Sequence, residues 1–392
     1  MSAAEIGQEA WLRTGGSNIG DIMQYTMLGK TGFKVSRLGF GAMRLPMTPD
    51  KQKVNRELAI PMIHRAFEAG VNYIDSAVMY CGHDSERTVG EALKGWRDKI
   101  VVSTKNHYMG EDEKEWRTNL ENSLKRLDVS FIDIYNTHGI NGKSLAEAVA
   151  PSISRWLLKA RDEGLIKHIC TSFHDNGDAL RKVIDFGLFE SITLQYNMLD
   201  RQLEDAMAYA HSKNIGIVVM GPVGGGRLGM PNDVLGNIFP DVKRIPELAL
   251  RFVLSNPNVT IALSGMSTMT HVEENLATAS DERTLTDTER LIINQQLDRL
   301  KRMADLYCTG CGYCMPCPEK IDIPRIFRLY NNARVYGFPE RSTEEYAGWR
   351  KKLPEGGMQA DTCTECGTCE EKCPQKLPIR QQLKEAHKAL IK

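Results

Sequence analysis

Eight of the ten cysteines in this 392-residue chain lie in two short runs near its end. A proline directly follows the fourth cysteine of each run, and the runs consist of Cys308, Cys311, Cys314 and Cys317, and of Cys363, Cys366, Cys369 and Cys373. Thiolates with two or three residues between them can surround a small inorganic cluster, because the intervening backbone turns its amides toward the sulfurs. The spacing therefore predicts iron–sulfur clusters.

Two other chemistries use several cysteines. Structural zinc takes four, usually as two separated Cys-x2-Cys pairs. Disulfide frameworks belong to small secreted chains, and this chain is long, with its thiols concentrated near one end. That concentration fits a reducing compartment, where thiols stay available as ligands. We therefore expect two 4Fe-4S clusters, with all eight cysteines of the runs as metal ligands.

Six polar residues each close a predicted strand: Asp75, Lys105, His138, Ser172, Gln195 and Ser264. Any one of them alone is most simply explained as a capping or solvated residue. In a closed barrel, however, the C-terminal ends of all strands form one mouth, which is where barrel enzymes place their chemistry. Six such residues on one rim are hard to explain as packing, and they predict an active site.

The elements that carry these residues alternate between strand and helix. The predicted strands are Val35–Gly41, Val71–Asp75, Ile100–Lys105, Phe131–His138, Leu165–Ser172, Ser191–Gln195, Ile215–Gly221 and Val259–Ser264. Apolar strands separated by amphipathic helices imply a parallel sheet. Eight of them in about 250 residues match an α/β fold of the (β/α)8 TIM-barrel type. An open dinucleotide-binding sheet is disfavoured, since no Gly-x-Gly-x-x-Gly turn follows the first strand.

The domain boundaries follow from this pattern. We expect an N-terminal tail at 1–24, the barrel at 25–285, and at 286–392 a helical linker and a small helical domain that carries the cysteines. Lys plus Arg and Asp plus Glu both total 50, so net charge favours neither nucleic acid nor an anionic membrane. No apolar run is long enough to span a bilayer, and no signal sequence is visible. We expect a cytoplasmic protein.

Residues 25–285 resemble the aldo-keto reductase family. The matching segments are Leu28–Gly32, Asp75–Tyr80 and Gly221–Leu228, together with Lys105 and His138. The resemblance implies that Asp75, Tyr80, Lys105 and His138 form the catalytic tetrad of an oxidoreductase that reduces a carbonyl or oxidises an alcohol with a nicotinamide cofactor. Members with an appended ferredoxin-like domain form a recognisable subgroup.

Carbonyl reduction needs these residue types, because a proton must reach the oxygen as hydride reaches the carbon. Tyrosine, with an ordinary pKa of about 10, is a weak acid at neutral pH. We expect the ammonium of Lys105 to lower the pKa of Tyr80, with Asp75 holding Lys105 charged and His138 donating to the carbonyl oxygen. Each residue also has a simpler explanation when it is taken alone. Tyr80 could be a loop aromatic, His138 a histidine at the end of a strand, and Asp75 with Lys105 an ordinary ion pair.

The cofactor pocket departs from the family pattern. By resemblance, the cofactor-binding residues are Ser172, Gln195, Met220, Gly221, Pro222, Gly224, Ser267, His271, Glu274 and Asn275. Phe173 replaces the usual carboxamide-binding Asn, and Met220 replaces the usual stacking aromatic. His271 stands where an Arg normally grips the 2′-phosphate, and Gly265 where a Lys often helps. A neutral His cannot form the bidentate contact of an Arg. NADP, NAD and a flavin all stay open as cofactors.

The C-terminal region resembles the α-helical ferredoxins of respiratory iron–sulfur subunits, with helices predicted at Pro324–Arg334 and Thr343–Lys352. That resemblance implies crossed ligand sets, in which Cys308, Cys311 and Cys314 share a cluster with Cys373, and Cys317 joins Cys363, Cys366 and Cys369. A helix is also predicted over 286–307.

Three hypotheses cover these features. In the first, the barrel uses a nicotinamide cofactor on a small carbonyl or alcohol, and the clusters link it to a ferredoxin or another redox subunit. In the second, electrons reach a flavin or the substrate through the clusters. In the third, the protein is an electron-transfer subunit whose barrel docks a partner. A nicotinamide moves two electrons as a hydride, whereas each cluster moves one, so any coupling must split electron pairs.

Overall fold

The computed structural model describes residues 23–198, 200–229, 244–283, 285–286, 288–293, 295, 308, 310–334, 339–350 and 358–391. They belong to two compact units. A barrel unit lies within Thr14–Val223 and Pro246–Thr286. The second unit, called the C-terminal unit here, includes described residues of Gly224–Ile245 and of Asp287–Lys392. No helix in these described ranges is both long enough and apolar enough to cross a membrane.

Eight parallel strands close into a barrel, as the sequence predicts. They are β3 (Leu38–Gly41), β4 (Tyr73–Asp75), β5 (Val101–Asn106), β6 (Ile132–Ile140), β7 (Ile166–Phe173), β8 (Ser191–Gln195), β9 (Gly216–Met220) and β10 (Ile261–Ser264). Each pairs with the next along the chain, and β10 pairs with both β9 and β3. The strands are almost wholly buried, as expected for a parallel sheet that is covered on both faces.

A short hairpin closes the bottom of the barrel. Its strands are β1 (Tyr25–Met27) and β2 (Lys34–Ser36), which pair antiparallel. Leu28 and Val35 are fully buried in the barrel interior beside Tyr73 and Val218. Lys30 donates its amide to the carbonyl of Asn214, just before β9 begins. Because this hairpin covers the N-terminal ends of the strands, the open mouth is at their C-terminal ends, where the predicted site residues stand.

Helices alternate with the strands. Those of the barrel are Arg56–Glu68, Ser85–Ala92, Glu113–Leu127, Ser154–Asp162, Gly177–Asp185, Glu204–Ser212, Ile245–Leu254 and Met269–Ser280. The third of these helices begins with a side-chain cap: the carboxylate of Asp112 accepts hydrogen bonds from the amides of Lys114 and Glu115. Between β6 and β7, a π-helix, Leu145–Ile153, directly precedes the α-helix Ser154–Asp162.

The C-terminal unit is built from helices around its own core. Its helices are Ile323–Arg334, Pro339–Arg350, Thr368–Lys372 and Ile379–Leu390. The last of these was not predicted, although Ile379, Leu383 and Leu390 are buried on one face of it. Tyr346 and Trp349 are buried in this core, as expected for packing residues. Most of the helix predicted over 286–307, and nearly all of the predicted tail at 1–24, lie outside the described residues.

We predict that Gly90→Ala destabilises the barrel by about 1–3 kcal/mol, because the added methyl overpacks a helix contact. A Cβ at Gly90 would lie 2.6 Å from the carbonyl oxygen of Leu127 and 2.9 Å from that of Arg126. Gly177→Ala is the matched control, since its nearest neighbours would be 3.8 and 3.9 Å away. Urea unfolding compares the two variants, and equal midpoints would contradict this account of the contact.

Candidate functional site

Asp75 and Lys105 form a buried ion pair at the mouth. Asp75 ends β4, Lys105 lies in the adjacent strand β5, and both side chains are 2% exposed. The ammonium of Lys105 donates to the carboxylate of Asp75 and, at 2.7 Å, to the carbonyl oxygen of Ser76. Burial lowers the pKa of Lys105, but the charge of Asp75 and the Tyr80 hydroxyl outweigh it and hold that pKa above its ordinary value. Lys105 is therefore a fixed cation.

Two residues that the sequence analysis missed hold this pair in place. The hydroxyl of Ser103 donates to the second carboxylate oxygen of Asp75 at 2.7 Å, and the amide of Asn136 donates to Ser103 at 3.0 Å. Both side chains are fully buried. Buried polar side chains need such partners. Their signal in the sequence is a polar residue inside an apolar strand, which points to a buried network without saying what it binds.

Tyr80 and His138 complete the predicted tetrad. The ring of Tyr80 lies beside Lys105, whose Nζ is 4.9 Å from the ring centroid. The rings of Tyr80 and His138 meet edge to face, with centroids 6.3 Å apart. The structure thus brings Asp75, Tyr80, Lys105 and His138 together around one point of the mouth.

A bulge in β6 aims His138 into the mouth. The pairing of β6 with β7 is regular up to Thr137 and shifts before Ile140, so His138 and Gly139 are out of register. Gly139 has a positive φ of 76°, and its amide donates to the hydroxyl of Ser172 at 2.8 Å. Bulges re-aim a side chain relative to the regular pleat. Ser172 therefore fixes the backbone that presents His138.

The net pKa of Tyr80 differs from the sequence-based expectation. Burial raises it above the ordinary value, and the opposing effect of the Lys105 charge is smaller. The expected lowering is therefore wrong in direction, because the degree of burial could not be read from residue types. Tyr80 remains a neutral phenol at physiological pH, and Lys105 limits the cost of its ionisation.

His138 is a neutral imidazole. Burial lowers its pKa well below the ordinary value, and the charge of Lys105 acts in the same direction. Two further histidines share this environment: burial and Lys105 lower the pKa of His174 to about 4, and burial lowers that of His107. A neutral imidazole has one N–H donor, so His138 can donate to a substrate oxygen without carrying charge.

Gln195 and Ser172 provide hydrogen-bonding groups at the same rim. In the described part of the chain, the Nε2 of Gln195 is buried with no hydrogen-bond partner. A buried unpaired donor costs free energy unless a ligand satisfies it. A Cβ at Gly221, where φ is +66°, would lie 3.4 Å from that nitrogen, so the glycine leaves room beside it. These features fit the carboxamide oxygen of a nicotinamide.

The other predicted cofactor residues follow the last two strands. Met220 ends β9 beside Gln195, and the turn after it contains Gly221, Pro222 and Gly224. Beyond β10, the amide of Asn275 donates to the hydroxyl of Ser264 at 3.0 Å. Ser267 and His271 are both exposed, and Glu274 precedes Asn275 on the same helix. Gln195, Met220 and, through its bond to Ser264, Asn275 therefore lie at the C-terminal ends of β8, β9 and β10, on one side of the mouth.

In the C-terminal unit the cysteines form two groups that cross the two runs. One cavity is lined by Cys314 and Cys317 together with Cys363, Cys366 and Cys369. Burial raises the pKa of the Cys314 thiol to about 12, with the thiols of Cys308, Cys311 and Cys373 near enough to act in the same direction. Cys314 belongs to both groups. Apart from it, they contain the same cysteines as the crossed ligand sets implied by the resemblance to helical ferredoxins, which stay a prediction. In the described ranges, no three His, Cys, Asp or Glu side chains are grouped to hold a single metal ion.

The model of the Aldo/keto reductase family matches residues 37–296, and that of a 4Fe-4S dicluster domain matches residues 307–378. The chain is 29% identical over 300 residues to L-galactose dehydrogenase of Arabidopsis thaliana, which covers 68% of this chain and 93% of that protein. It is 26% identical over 330 residues to the NADH-specific methylglyoxal reductase of Escherichia coli, covering 71% of this chain and 100% of that protein.

Solved structures give the same picture for the barrel. The holo form of an aldo-keto reductase from Bacillus halodurans superposes with a TM-score of 0.59 at 26% identity, over 70% of this chain and 96% of that one. An aldo/keto reductase from Klebsiella pneumoniae, solved with NADP and acetate, has a TM-score of 0.58 at 22% identity, over 70% and 95% of the two chains. The second likeness shows the fold alone.

The cysteine grouping predicts how iron is lost. Cys311→Ser and Cys373→Ser should each remove about half of the bound iron, because four thiolates hold each cluster. Combining these two changes should remove no more, whereas combining Cys311→Ser with Cys366→Ser should remove nearly all. Iron per protein after anaerobic purification measures this, with Cys81→Ser in the barrel as the control that keeps full iron. Additive losses for Cys311 and Cys373 would contradict the crossed grouping.

Proposed function

This chain belongs to the aldo/keto reductase family, and we propose that its barrel reduces a small carbonyl compound, or oxidises the corresponding alcohol, with a nicotinamide cofactor. It is an oxidoreductase of that type with a 4Fe-4S domain, as the sequence motifs predict. The observation that carries the proposal is the buried Asp75–Lys105 pair, which lies directly beside the ring of Tyr80.

Tyr80 is the proton donor in this proposal. Its phenol is neutral at physiological pH, because burial raises its pKa, so a proton is available as a carbonyl oxygen gains charge. Lys105 lies 4.9 Å from the ring centroid, and its positive charge stabilises the phenolate that remains. Asp75 keeps the ammonium charged and in place. A positioned acid of this kind contributes about 10²–10⁴-fold to a rate.

His138 orients the substrate. As a neutral imidazole it donates one hydrogen bond to the carbonyl oxygen, and the bulge in β6 fixes the direction of its ring. Donors that are aimed where negative charge develops stabilise the transition state more than the ground state. Tyr80 and His138 therefore share one oxygen, the first as acid and the second as a hydrogen-bond donor.

Gln195 and Ser172 are the groups that would bind the carboxamide of a nicotinamide. The ring of that cofactor would supply a hydride when the reduced form is bound. The unpaired Nε2 of Gln195 supports this role. The relative in Escherichia coli is named NADH-specific, and the Klebsiella pneumoniae structure contains NADP. The name of the Escherichia coli relative supports a nicotinamide cofactor, whereas the Klebsiella pneumoniae likeness shows the fold alone.

We propose that the C-terminal unit binds two 4Fe-4S clusters through the eight cysteines and exchanges electrons with a ferredoxin or another redox subunit. The two groups of thiols support this, because thiolates are the usual ligands of such clusters. Cys366 is exposed, which leaves one side of its group accessible from solvent.

Tyr80→Phe should lower kcat for carbonyl reduction by about 100-fold or more, since the acid is removed while the ring is kept. Affinity for the oxidised cofactor should change little, because Tyr80 is not among the cofactor-binding residues. Tyr209→Phe is the matched control, as its hydroxyl bonds Asp185 away from the mouth. Steady-state kinetics on a panel of small aldehydes and ketones measures both, and unimpaired turnover would exclude Tyr80 as the acid.

The raised pKa of Tyr80 predicts the pH dependence. Reduction needs the protonated phenol, and a raised pKa keeps it protonated beyond its ordinary value of about 10. The kcat for reduction should therefore stay level from neutral pH to about pH 9 and fall only at higher pH. Alcohol oxidation, which needs the phenolate, should rise over the same range. A loss of reduction already centred near neutral pH would contradict this assignment.

A further inference from the structure

The sequence leaves the cofactor 2′-phosphate without a guanidinium, since His271 and Gly265 stand where family members place an Arg and a Lys. The structure places the side-chain stem of Arg44 against Gly265, at the point where β3 pairs with β10 and the barrel closes. We propose that Arg44 binds the 2′-phosphate of NADP(H) and makes this barrel selective for the phosphorylated cofactor. This inference rests on the proposed nicotinamide-dependent function and assigns a specificity residue to it.

Barrel closure places Arg44 next to the last strand. Arg44 ends the turn Ala42–Arg44, which directly follows β3. The first strand β3 pairs with the last strand β10, with Phe40 opposite Ser264. The loops that leave these two strands are therefore neighbours at the mouth, although they are more than 200 residues apart in sequence.

The turn that carries Arg44 is anchored. The hydroxyl of Ser85, a fully buried residue, donates to the carbonyl oxygen of Ala42 at 2.8 Å. Ser76 in turn shares a hydrogen bond of 2.8 Å with Ser85. Ser76 also offers its carbonyl oxygen to Lys105, so the turn is tied to the same network as the tetrad. A side chain on such a turn is positioned for binding at little entropic cost.

The stem of Arg44 lies on the backbone of Gly265. A Cβ at Gly265 would lie 3.3 Å from Cδ of Arg44 and 3.4 Å from its Cβ and Cγ. Gly265 does not have a positive φ, so backbone conformation does not require glycine there. What the missing side chain provides is room for the arginine stem. Gly265 and Arg44 together thus supply a cation at the position where relatives use a lysine.

The guanidinium of Arg44 is available to a ligand. The residue is exposed, and within the described ranges its side chain makes no hydrogen bond or ion pair. By contrast, Arg56 pairs with Asp84 and Glu91, and Arg37 donates to two carbonyl oxygens. An arginine with a packed stem and a free planar head is suited to bidentate phosphate binding.

The position of Arg44 favours the 2′-phosphate over the diphosphate bridge. By the family resemblance, Glu274 and Asn275 correspond to the pair that contacts adenine, and Asn275 is bonded to Ser264, the residue before Gly265. The adenosine half of the cofactor would therefore lie against the segment that follows Gly265. The phosphate on the adenosine ribose is the 2′-phosphate. Its negative charge, nearly −2, favours a guanidinium as its partner.

Calorimetric titration of the intact anaerobic protein with oxidised NADP and NAD tests the proposal. Arg44→Ala should weaken NADP binding by about tenfold or more, as expected for the loss of a hydrogen bond to a charged group, and change NAD binding by less than about twofold. Gly265→Val, which displaces Arg44 without removing it, should cause the same selective loss. Arg161→Ala is the control, because this exposed arginine ends a helix at the opposite end of the barrel.

Adenosine 2′,5′-bisphosphate, which lacks the nicotinamide, is the second probe. Its binding should depend on Arg44 as that of NADP does, and thermal melting should show both variants folded. Unchanged NADP affinity in Arg44→Ala, or equal losses for NADP and NAD, would overturn the proposal. Arg44-dependent binding of the bisphosphate by a protein that reduces no carbonyl would leave this inference standing and reject the proposed function instead.

Discussion

The barrel site depends on one buried ion pair. Removing a carboxylate and an ammonium from water costs several kcal/mol each, which is recovered only when both ions are held in good geometry with further hydrogen bonds. Here Lys105 has Asp75 and the Ser76 carbonyl, and Asp75 has Ser103, which is itself held by Asn136. The network joins strands β4, β5 and β6. Removing either ion would leave the other buried and unpaired, and the hydrogen bonds of Ser103 and Asn136 tie the pair to the strand ends on which Tyr80 and His138 depend.

A second constraint is the number of electrons that each redox group transfers at a time. The proposed hydride chemistry moves two electrons together, whereas clusters held by the eight cysteines would each move one. The crossed grouping of the cysteines places thiols of both runs around each cluster volume, so neither cluster could be lost without loosening both runs. With both clusters bound, the C-terminal unit would be one module rather than two independent sites.

Much of the fold was predictable because the signals are local. Strands such as Ser191–Gln195 are short apolar runs, and the polar residues that end them mark the mouth. The predictions that were wrong or missing concern features that depend on how the barrel closes and on which side chains it buries. The net pKa of Tyr80 has the opposite direction from the one expected, since residue types do not report desolvation. Ser103 and Asn136 looked like ordinary strand residues. The sequence around Arg44 does not indicate a role for this residue, because only the pairing of β3 with β10 brings it to Gly265.

The most direct measurement is the fate of a labelled hydrogen. The intact protein would be given a small aldehyde and a nicotinamide cofactor deuterated at the transferable position of its ring, and the product alcohol would be analysed by mass spectrometry. We expect one deuterium on the former carbonyl carbon, because the hydride moves directly between cofactor and substrate at the mouth. An alcohol that carries only solvent hydrogen at that carbon would show that electrons reach the substrate by another route, and would contradict the central claim.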